Sequence, residues 1–185
     1  MKSRQYLKIE SIRLYTAILS ILFIMSVYFT GCSKVENSQK IKVPALDVIR
    51  EMKENLDDFN GTSIMSYDDT PYSTNLSTLY KGLKESDITD GCIAFDETGN
   101  TADEISILVA PDTDSTSKLK TILKQRAEKR AEDFGKYKPE ESIKAQEAHV
   151  TICDRYVMLA IGKDSLEMQK QFQLVMQKYS NIKDE

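Results

Sequence analysis

Four carboxylates form the densest group of side chains able to do chemistry. They surround the turn signal Gly99-Asn100 and are Asp96, Glu97, Asp103 and Glu104. Hard cations such as calcium prefer several oxygen ligands gathered on one loop, so this turn is the best candidate for a cation-binding site among the acidic clusters. The alternative is that these residues are solvated loop ends and helix caps, without a common ligand.

The cysteines and the single histidine are the other chemically capable residues. Cys92 and Cys153 lie in or beside predicted strands, and an oxidising compartment would allow a disulfide between them if the strands are adjacent. The alternative is two buried thiols. A Cys153–His149 nucleophile pair is excluded because four residues along a strand span about 13 Å.

No cofactor or metal motif accompanies these residues. The chain lacks a Gly-x-Ser-x-Gly elbow, a P-loop and a glycine-rich dinucleotide turn. Zinc sites use His and Cys pairs at short spacing, which this chain does not contain. We therefore expect no catalytic residues, no cofactor and no transition-metal site, and His149 is expected to be a packed or surface residue.

Three tyrosines cluster between the first predicted helix and the first predicted strand. Tyr67, Tyr72 and Tyr80 stand near acidic and amide side chains. Aromatic residues are common in recognition sites, so this segment could line a binding groove. The alternative places Tyr80 in the core and leaves the other two covering a loop.

Charge composition limits the class of partner. The 185 residues include 25 Lys and Arg against 29 Asp and Glu, a net charge of −4. Binding to nucleic acid phosphates needs clustered basic residues, so nucleic acid is not expected to be a partner.

The N-terminus has the pattern of an export signal. Lys2, Arg4, Lys8 and Arg13 precede residues 14–33, which carry no charge. The motif Phe29-Thr30-Gly31-Cys32 at the end of this stretch resembles a bacterial lipobox, in which the signal is cut before a cysteine that receives a lipid. We therefore expect Cys32 to anchor the chain to the outer face of the cell membrane.

Two alternatives to the lipid anchor stay open. About 20 uncharged residues are just enough to span a bilayer, so the stretch could be an uncleaved signal anchor. It could also be an ordinary cleaved signal. The lipobox favours residues 1–31 as a signal peptide and residues 32–43 as the lipidated cysteine with a flexible tether.

Alternating helix and strand patterns fill residues 44–180, with a polar tail at 181–185. The first helix is predicted from Pro44 to about Phe59, with Gly61 after its end. Hairpins are predicted over 89–110 and 149–161. Helices are predicted after each hairpin, beginning near Ser115, at Pro139 and at Asp164. This order predicts a single α+β domain with an antiparallel sheet of about four strands, packed by helices.

Several short motifs resemble one family. They are Leu79-Tyr80-Lys81-Gly82-Leu83, Asp87-Ile88, Thr101-Ala102-Asp103-Glu104-Ile105-Ser106-Ile107, the stretch from Leu123 and Arg126 through Phe134, Tyr137, Pro139 and Glu140, and Tyr156-Val157-Met158-Leu159. They resemble the domain of unknown function 4358 (DUF4358) of Gram-positive lipoproteins, over about residues 45–165. Asp154-Arg155 departs from the pattern, which favours a glycine in that turn. The resemblance implies a fold and no activity.

Three functions are compatible with this sequence. The preferred one is a non-enzymatic domain, held outside the cell by lipid on Cys32, that binds a ligand or protein partner. The second is an accessory subunit that docks on a membrane transporter or sensor. The third is an enzyme with an acidic site, which would need two carboxylates converging in one cleft.

Overall fold

A five-stranded antiparallel sheet organises the domain. The computed structural model describes residues 41–57, 59–69, 75–76 and 78–181. The strands are β1 (Ser63–Ser66), β2 (Asp90–Phe95), β3 (Glu104–Val109), β4 (His149–Cys153) and β5 (Tyr156–Ile161). Their order across the sheet is β1-β2-β3-β5-β4, so β3 lies at the centre.

Four α-helices accompany the sheet in the described residues, so the predicted α+β class is confirmed. They are α1 (Ala45–Lys53), α2 (Thr116–Gly135), α3 (Pro139–Gln146) and α4 (Ser165–Ser180). A 3-10 turn covers Glu85–Asp87. No helix within the described ranges has both the length and the apolarity needed to cross a membrane.

Helices cover both faces of the sheet, which explains why β3 and β5 are buried along their whole length. On one face, Ile105 and Ile107 pack in a core with residues of α1 and α4. On the other face, Leu108 and Leu159 pack with residues of α2 and α3. Successive side chains of a strand point to opposite faces, so a strand buried on both sides becomes continuously apolar.

Both predicted hairpins form. β2 pairs with β3 through Phe95 opposite Glu104, and β4 pairs with β5 through Cys153 opposite Tyr156. The second turn contains Asp154 at φ 49°, in the left-handed region where glycine is favoured and aspartate is tolerated. Aspartate therefore supplies the turn geometry for which glycine is the more common residue.

The predicted strand count was one short. Ser63–Ser66 pairs with Cys92–Phe95 as edge strand β1. This segment has four residues, and its strand conformation depends on pairing with β2, about 30 positions further along the chain. A pattern read locally carries little of that information.

The first helix ends earlier than predicted. It stops at Lys53, and the side-chain amide of Asn55 donates from Nδ2 to the backbone carbonyl of Glu51 at 3.1 Å. The backbone N–H of Asn55 donates to the carbonyl of Met52 instead. Asparagine competes with helical hydrogen bonds in this way, so the apolar residues Leu56 and Phe59 pack against the core from a turn.

Candidate functional site

A buried ion cluster connects β3 to α2. Glu104, the first residue of β3, has an exposed side-chain fraction of 0%. The Arg126 guanidinium binds it with both Nε and Nη2, at 3.1 and 3.2 Å from Nε to the two carboxylate oxygens and 2.6 Å from Nη2 to Oε2. A buried carboxylate without such partners would be strongly disfavoured. The pair therefore fixes the middle of α2 to the start of β3.

Two hydroxyl groups extend the hydrogen-bond network of the Glu104 carboxylate. Ser106 Oγ donates to Glu104 Oε1 at 2.8 Å, and the buried Tyr80 hydroxyl donates to Ser106 Oγ at 3.0 Å. Burial alone would raise the pKa of Glu104, but Arg126, Arg130 and Ser106 outweigh it and hold the pKa below its usual range. Glu104 is therefore ionised at neutral pH.

Arg130 brings a second positive charge to the same carboxylate. Its Nε lies 3.5 Å from Glu104 Oε2, its Nη2 donates to the Thr101 carbonyl at 3.4 Å, and its guanidinium stacks 4.9 Å from the Phe134 ring centre. The side chain is 16% exposed. Among the described residues, Arg130 Nε makes no hydrogen bond. Burial, together with repulsion from Arg126, lowers the pKa of Arg130 despite attraction to Glu104.

A cavity of about 280 Å³ opens beside these arginines. Its lining comes from β1, β2, the loop after β2, the segment before Gly82, and α2. The residues are Met65, Leu79, Ile93, Phe95, Asp96, Glu97, Gly99, Arg126 and Arg130. We call this space the arginine cavity. Apolar walls with a few converging polar groups are typical of small-molecule sites.

Asp96 lies at one side of the arginine cavity, and each of its carboxylate oxygens already accepts two hydrogen bonds. Its Oδ1 accepts from the Thr98 N–H and Oγ1, and its Oδ2 accepts from the Thr101 N–H and Oγ1, at 2.6–3.0 Å. Burial works against ionisation, but these four hydrogen bonds prevail and lower the pKa of Asp96 to about 2. Its carboxylate therefore stabilises its own turn and has no lone pair left for a ligand.

Comparison with known proteins places the chain in a family. Residues 63–162 match the family described as domain of unknown function (DUF4358), and this match covers 100 of the 185 residues. The chain belongs to the DUF4358 family. No curated protein and no solved structure matches it.

The DUF4358 match contains every residue of the ion cluster. Tyr80, Glu104, Arg126 and Arg130 all lie within residues 63–162, as does the lining of the arginine cavity. The match ends before α4 and begins after α1. The ion cluster and the cavity are therefore features of the DUF4358 part of the chain.

The described residues do not bring the carboxylates of the candidate cation site together as a metal-binding group. Asp103 accepts from the Asn60 N–H and Nδ2 and from Lys144 Nζ, at 2.8–3.0 Å. Asp96 and Glu104 bind the separate donors described above, and Glu97 is exposed. Neighbouring carboxylates that point to opposite faces cannot converge on one ion. Within the described ranges, no group of three potential metal-binding side chains occurs.

The predicted Cys92–Cys153 disulfide is also wrong. Cys92 lies on β2 and Cys153 at the end of β4, with β3 and β5 between them. Three strand spacings amount to about 14 Å, twice the Cα separation that a disulfide allows. Burial, with help from the carboxylates of Asp90 and Asp69, raises the pKa of Cys92 to about 12. Cys92 is a core residue.

The predicted tyrosine groove is not formed by Tyr80, whose side chain is fully buried. Tyr67 packs partly buried against the same core, and Tyr72 lies outside the described residues. His149 opens β4, and its Nδ1 lies 2.9 Å from Ser165 Oγ and 3.1 Å from the Glu147 carbonyl. These contacts link β4 to the start of α4.

The predicted tether extends too far at its C-terminal end, because Ile41 and Val43 are buried in the domain. The Tyr156 hydroxyl accepts from the Val43 N–H at 3.0 Å and donates to the Val43 carbonyl at 2.7 Å. The Ile41 N–H donates to Asp154 Oδ2 at 3.2 Å, and the Ala45 N–H donates to Asp90 Oδ2 at 2.7 Å. We call residues 41–45 the docked segment.

The lipobox residues Phe29, Thr30, Gly31 and Cys32 lie outside the described residues. The signal peptide and the lipid on Cys32 therefore stay predictions from the sequence. The docked segment contains the first described residues that follow them in the sequence.

A second cavity of about 240 Å³ lies between the end of α1 and the start of α4. Two of its three acidic residues are engaged locally: Asp164 caps α4 by accepting from the Glu167 N–H at 2.9 Å. Glu167 accepts from Lys170 and Gln171. These partners favour a structural role for the second cavity and leave the arginine cavity as the candidate site.

Sequence reasoning missed Arg126 and Arg130 as site residues. They stand four residues apart beside the apolar stripe of α2, and Glu104 opens a strand whose other residues are apolar except Ser106. Two basic residues on one edge of a helix and one acidic residue in a buried strand are a sequence pattern that can indicate a buried ion cluster. Their pairing across 22 residues is set by the packing of α2 on the sheet.

Proposed function

We propose that this chain is a lipid-anchored, extracytoplasmic protein whose DUF4358 domain is a non-enzymatic ligand-binding module. The observation that carries this proposal is Arg130, a largely buried cation with unused hydrogen-bonding capacity at a cavity with apolar walls. Burying an arginine costs free energy unless it gains partners, so a cavity that keeps one underpartnered is suited to binding.

The local carboxylates favour binding over acid–base catalysis. A general acid or base works best with a pKa near the working pH and with access to substrate. Glu104 is fully buried with its pKa held low, and Asp96 is saturated by four hydrogen bonds with a pKa of about 2. Neither is suited to exchanging protons with a ligand at neutral pH.

The docked segment supports a membrane-tethered arrangement. It ends beside Asp90, the first residue of β2, whereas the arginine cavity lies at the other end of this strand, near Phe95. Six strand residues separate the two ends by about 20 Å. Eight residues lie between Cys32 and Ile41, a reach of about 30 Å when extended. The docked segment therefore begins at the end of the sheet opposite the cavity.

The ligand-binding proposal is tested by a thermal-shift screen of small molecules on residues 33–185. We expect hits that raise the melting temperature of the wild type and of Lys129→Gln, but not of Arg130→Gln. Lys129 is the matched control because it is the adjacent, exposed cation on α2. Hits that stabilise all three proteins equally would contradict binding at the arginine cavity.

The anchor is tested by cell fractionation of Cys32→Ala. We expect the wild type in the membrane fraction at the mass of a cleaved, lipidated chain, and the variant at the mass of the uncleaved precursor without lipid. The decisive comparison is the wild-type mass, because an uncleaved signal anchor would also hold the chain on the membrane. A wild type with the precursor mass would overturn the lipoprotein proposal.

A further inference from the structure

We propose that the arginine cavity binds a small monocarboxylate with an apolar body, whose carboxylate pairs with Arg130. This inference rests on the proposed function and names the chemical class of its ligand. It follows from three features: the incomplete pairing of Arg130, the apolar walls of the cavity and its size.

The buried cluster pairs Glu104 unequally with its two arginines. Arg126 takes both carboxylate oxygens of Glu104 in hydrogen bonds. Arg130 is left with a 3.5 Å ion pair and one 3.4 Å hydrogen bond to a carbonyl. Arg130 therefore keeps hydrogen-bonding capacity that a ligand carboxylate could use.

The acidic residues that line the cavity have other partners or are exposed. Asp96 uses its four acceptor positions on Thr98 and Thr101. Glu97 is exposed, so water screens its charge. Asp133 on α2 pairs at the surface with Lys129 and Lys136. Among the described residues, Glu104 is therefore the carboxylate that pairs with Arg130.

The walls and volume set the rest of the ligand. Met65, Leu79, Ile93 and Phe95 provide an apolar surface next to the guanidinium. A volume of about 280 Å³ lies near the lower end of the range for small-molecule sites. An arginine fork matches the two oxygens of a carboxylate, and the apolar walls favour a hydrocarbon group attached to it. A ligand of roughly ten non-hydrogen atoms fits this description.

The test uses phenylacetate, its uncharged analogue phenylacetamide, and acetate, which lacks the apolar body. The full chain is placed in lipid nanodiscs with ¹³C-labelled methionine methyl groups, and NMR signals are followed during titration. Met65 lines the arginine cavity and Met168 lines the second cavity, so their methyl signals report the two sites separately. Empty nanodiscs correct for partitioning of the compounds into lipid.

We expect phenylacetate to shift the Met65 signal and leave Met168 in place. Its dissociation constant should be at least about tenfold lower than that of phenylacetamide or acetate, because a buried charge-assisted pair is worth more than a neutral hydrogen bond. Arg130→Gln should abolish that tenfold preference, Arg130→Lys should keep part of it, and Lys129→Gln should leave it unchanged.

Two results would overturn the inference. Equal Met65 shifts with phenylacetate and phenylacetamide would show a binding cavity that does not recognise an anion, which leaves the proposed function standing. Absence of a Met65 shift in the wild type with every compound would reject the monocarboxylate, and this measurement does not depend on any variant folding. The thermal-shift screen then decides the proposed function separately.

Discussion

At the scale of single residues, Glu104 has the largest predicted effect on stability. Its carboxylate accepts hydrogen bonds from Arg126 and forms a 3.5 Å ion pair with Arg130, and both guanidinium groups lose this charged partner if it is neutralised. Breaking a buried ion pair on one side costs more than a surface pair because the remaining charge stays desolvated. The cluster therefore matters for the fold as well as for the cavity.

We expect Glu104→Gln to lower the free energy of unfolding by about 3–5 kcal/mol. Urea denaturation of the wild type, the variant and the exposed α2 control Glu128→Gln measures this, and the control should change by less than about 0.5 kcal/mol. Similar midpoints for all three proteins would show that the cluster contributes little.

The effect of Glu104 should also depend on pH. Its folded-state pKa is lowered, so its ionised form contributes stability above the unfolded-state pKa of about 4.3, and this contribution is lost as pH falls through the folded-state pKa. The difference between wild type and Glu104→Gln should thus be constant near neutral pH and shrink below about pH 4. A difference that grows on acidification would contradict this sign.

Cys92 should be chemically inert in the folded protein. The thiolate is the reactive form, and burial raises the pKa of this thiol to about 12. In residues 33–185 carrying Cys153→Ser, Cys92 is the single thiol. We expect an aromatic disulfide reagent to label it in urea at once and in buffer at least about 100-fold more slowly. Rapid labelling in buffer would show that the β2 core is open.

At the scale of elements, the docked segment depends on one hydroxyl. Tyr156 Oη both accepts from and donates to Val43, inside a buried contact. Tyr156→Phe leaves both backbone groups without a partner, which should cost about 1–3 kcal/mol. Hydrogen exchange at residues 41–45 should accelerate, while that of β3 changes little.

Tyr137→Phe is the control for this variant because Tyr137 is 59% exposed. It should leave exchange in the docked segment and the urea midpoint unchanged. If Tyr156→Phe also leaves exchange at residues 41–45 unchanged, the segment is held by Asp154, Asp90 and packing instead.

The elements whose signals are local in the sequence were predicted correctly, and those that depend on other contacts were not. Both hairpins and α2 carry their signals locally, in alternation, turn residues and helical spacing, and they form where predicted. The end of α1 and edge strand β1 depended on a side-chain hydrogen bond of Asn55 and on pairing with β2. The first is a local competition that the apolar spacing does not reveal, and the second is decided by the assembled sheet.

The same distinction explains the candidate site. From residue types alone, Asp96, Asp103 and Glu104 were interpreted as members of a candidate cation site, because their side-chain directions and partners were unknown. Those partners, Thr98, Lys144 and Arg126, come from three different elements. The Cys92–Cys153 disulfide failed for a related reason, since strand order across a sheet is not local information.

At the scale of the whole molecule, the exposed apolar side chains do not favour the accessory-subunit function. The large exposed hydrophobic residues of the described ranges are spread over β1, α3, α4 and the turn between α2 and α3: Ile64, Tyr137, Ile143, Leu166 and Leu174. Single exposed apolar residues are normal on soluble surfaces. The arginine cavity is the more specific feature.

The central claim is that the DUF4358 domain binds a ligand in the arginine cavity, whatever the chemical class of that ligand. Hydrogen exchange of the purified protein, with and without the small-molecule fraction of the medium around the cells that produce it, tests this most directly. We predict slower exchange confined to β2, the loop 96–103 and the middle of α2. Unchanged exchange there, or protection confined to α4, would contradict the claim.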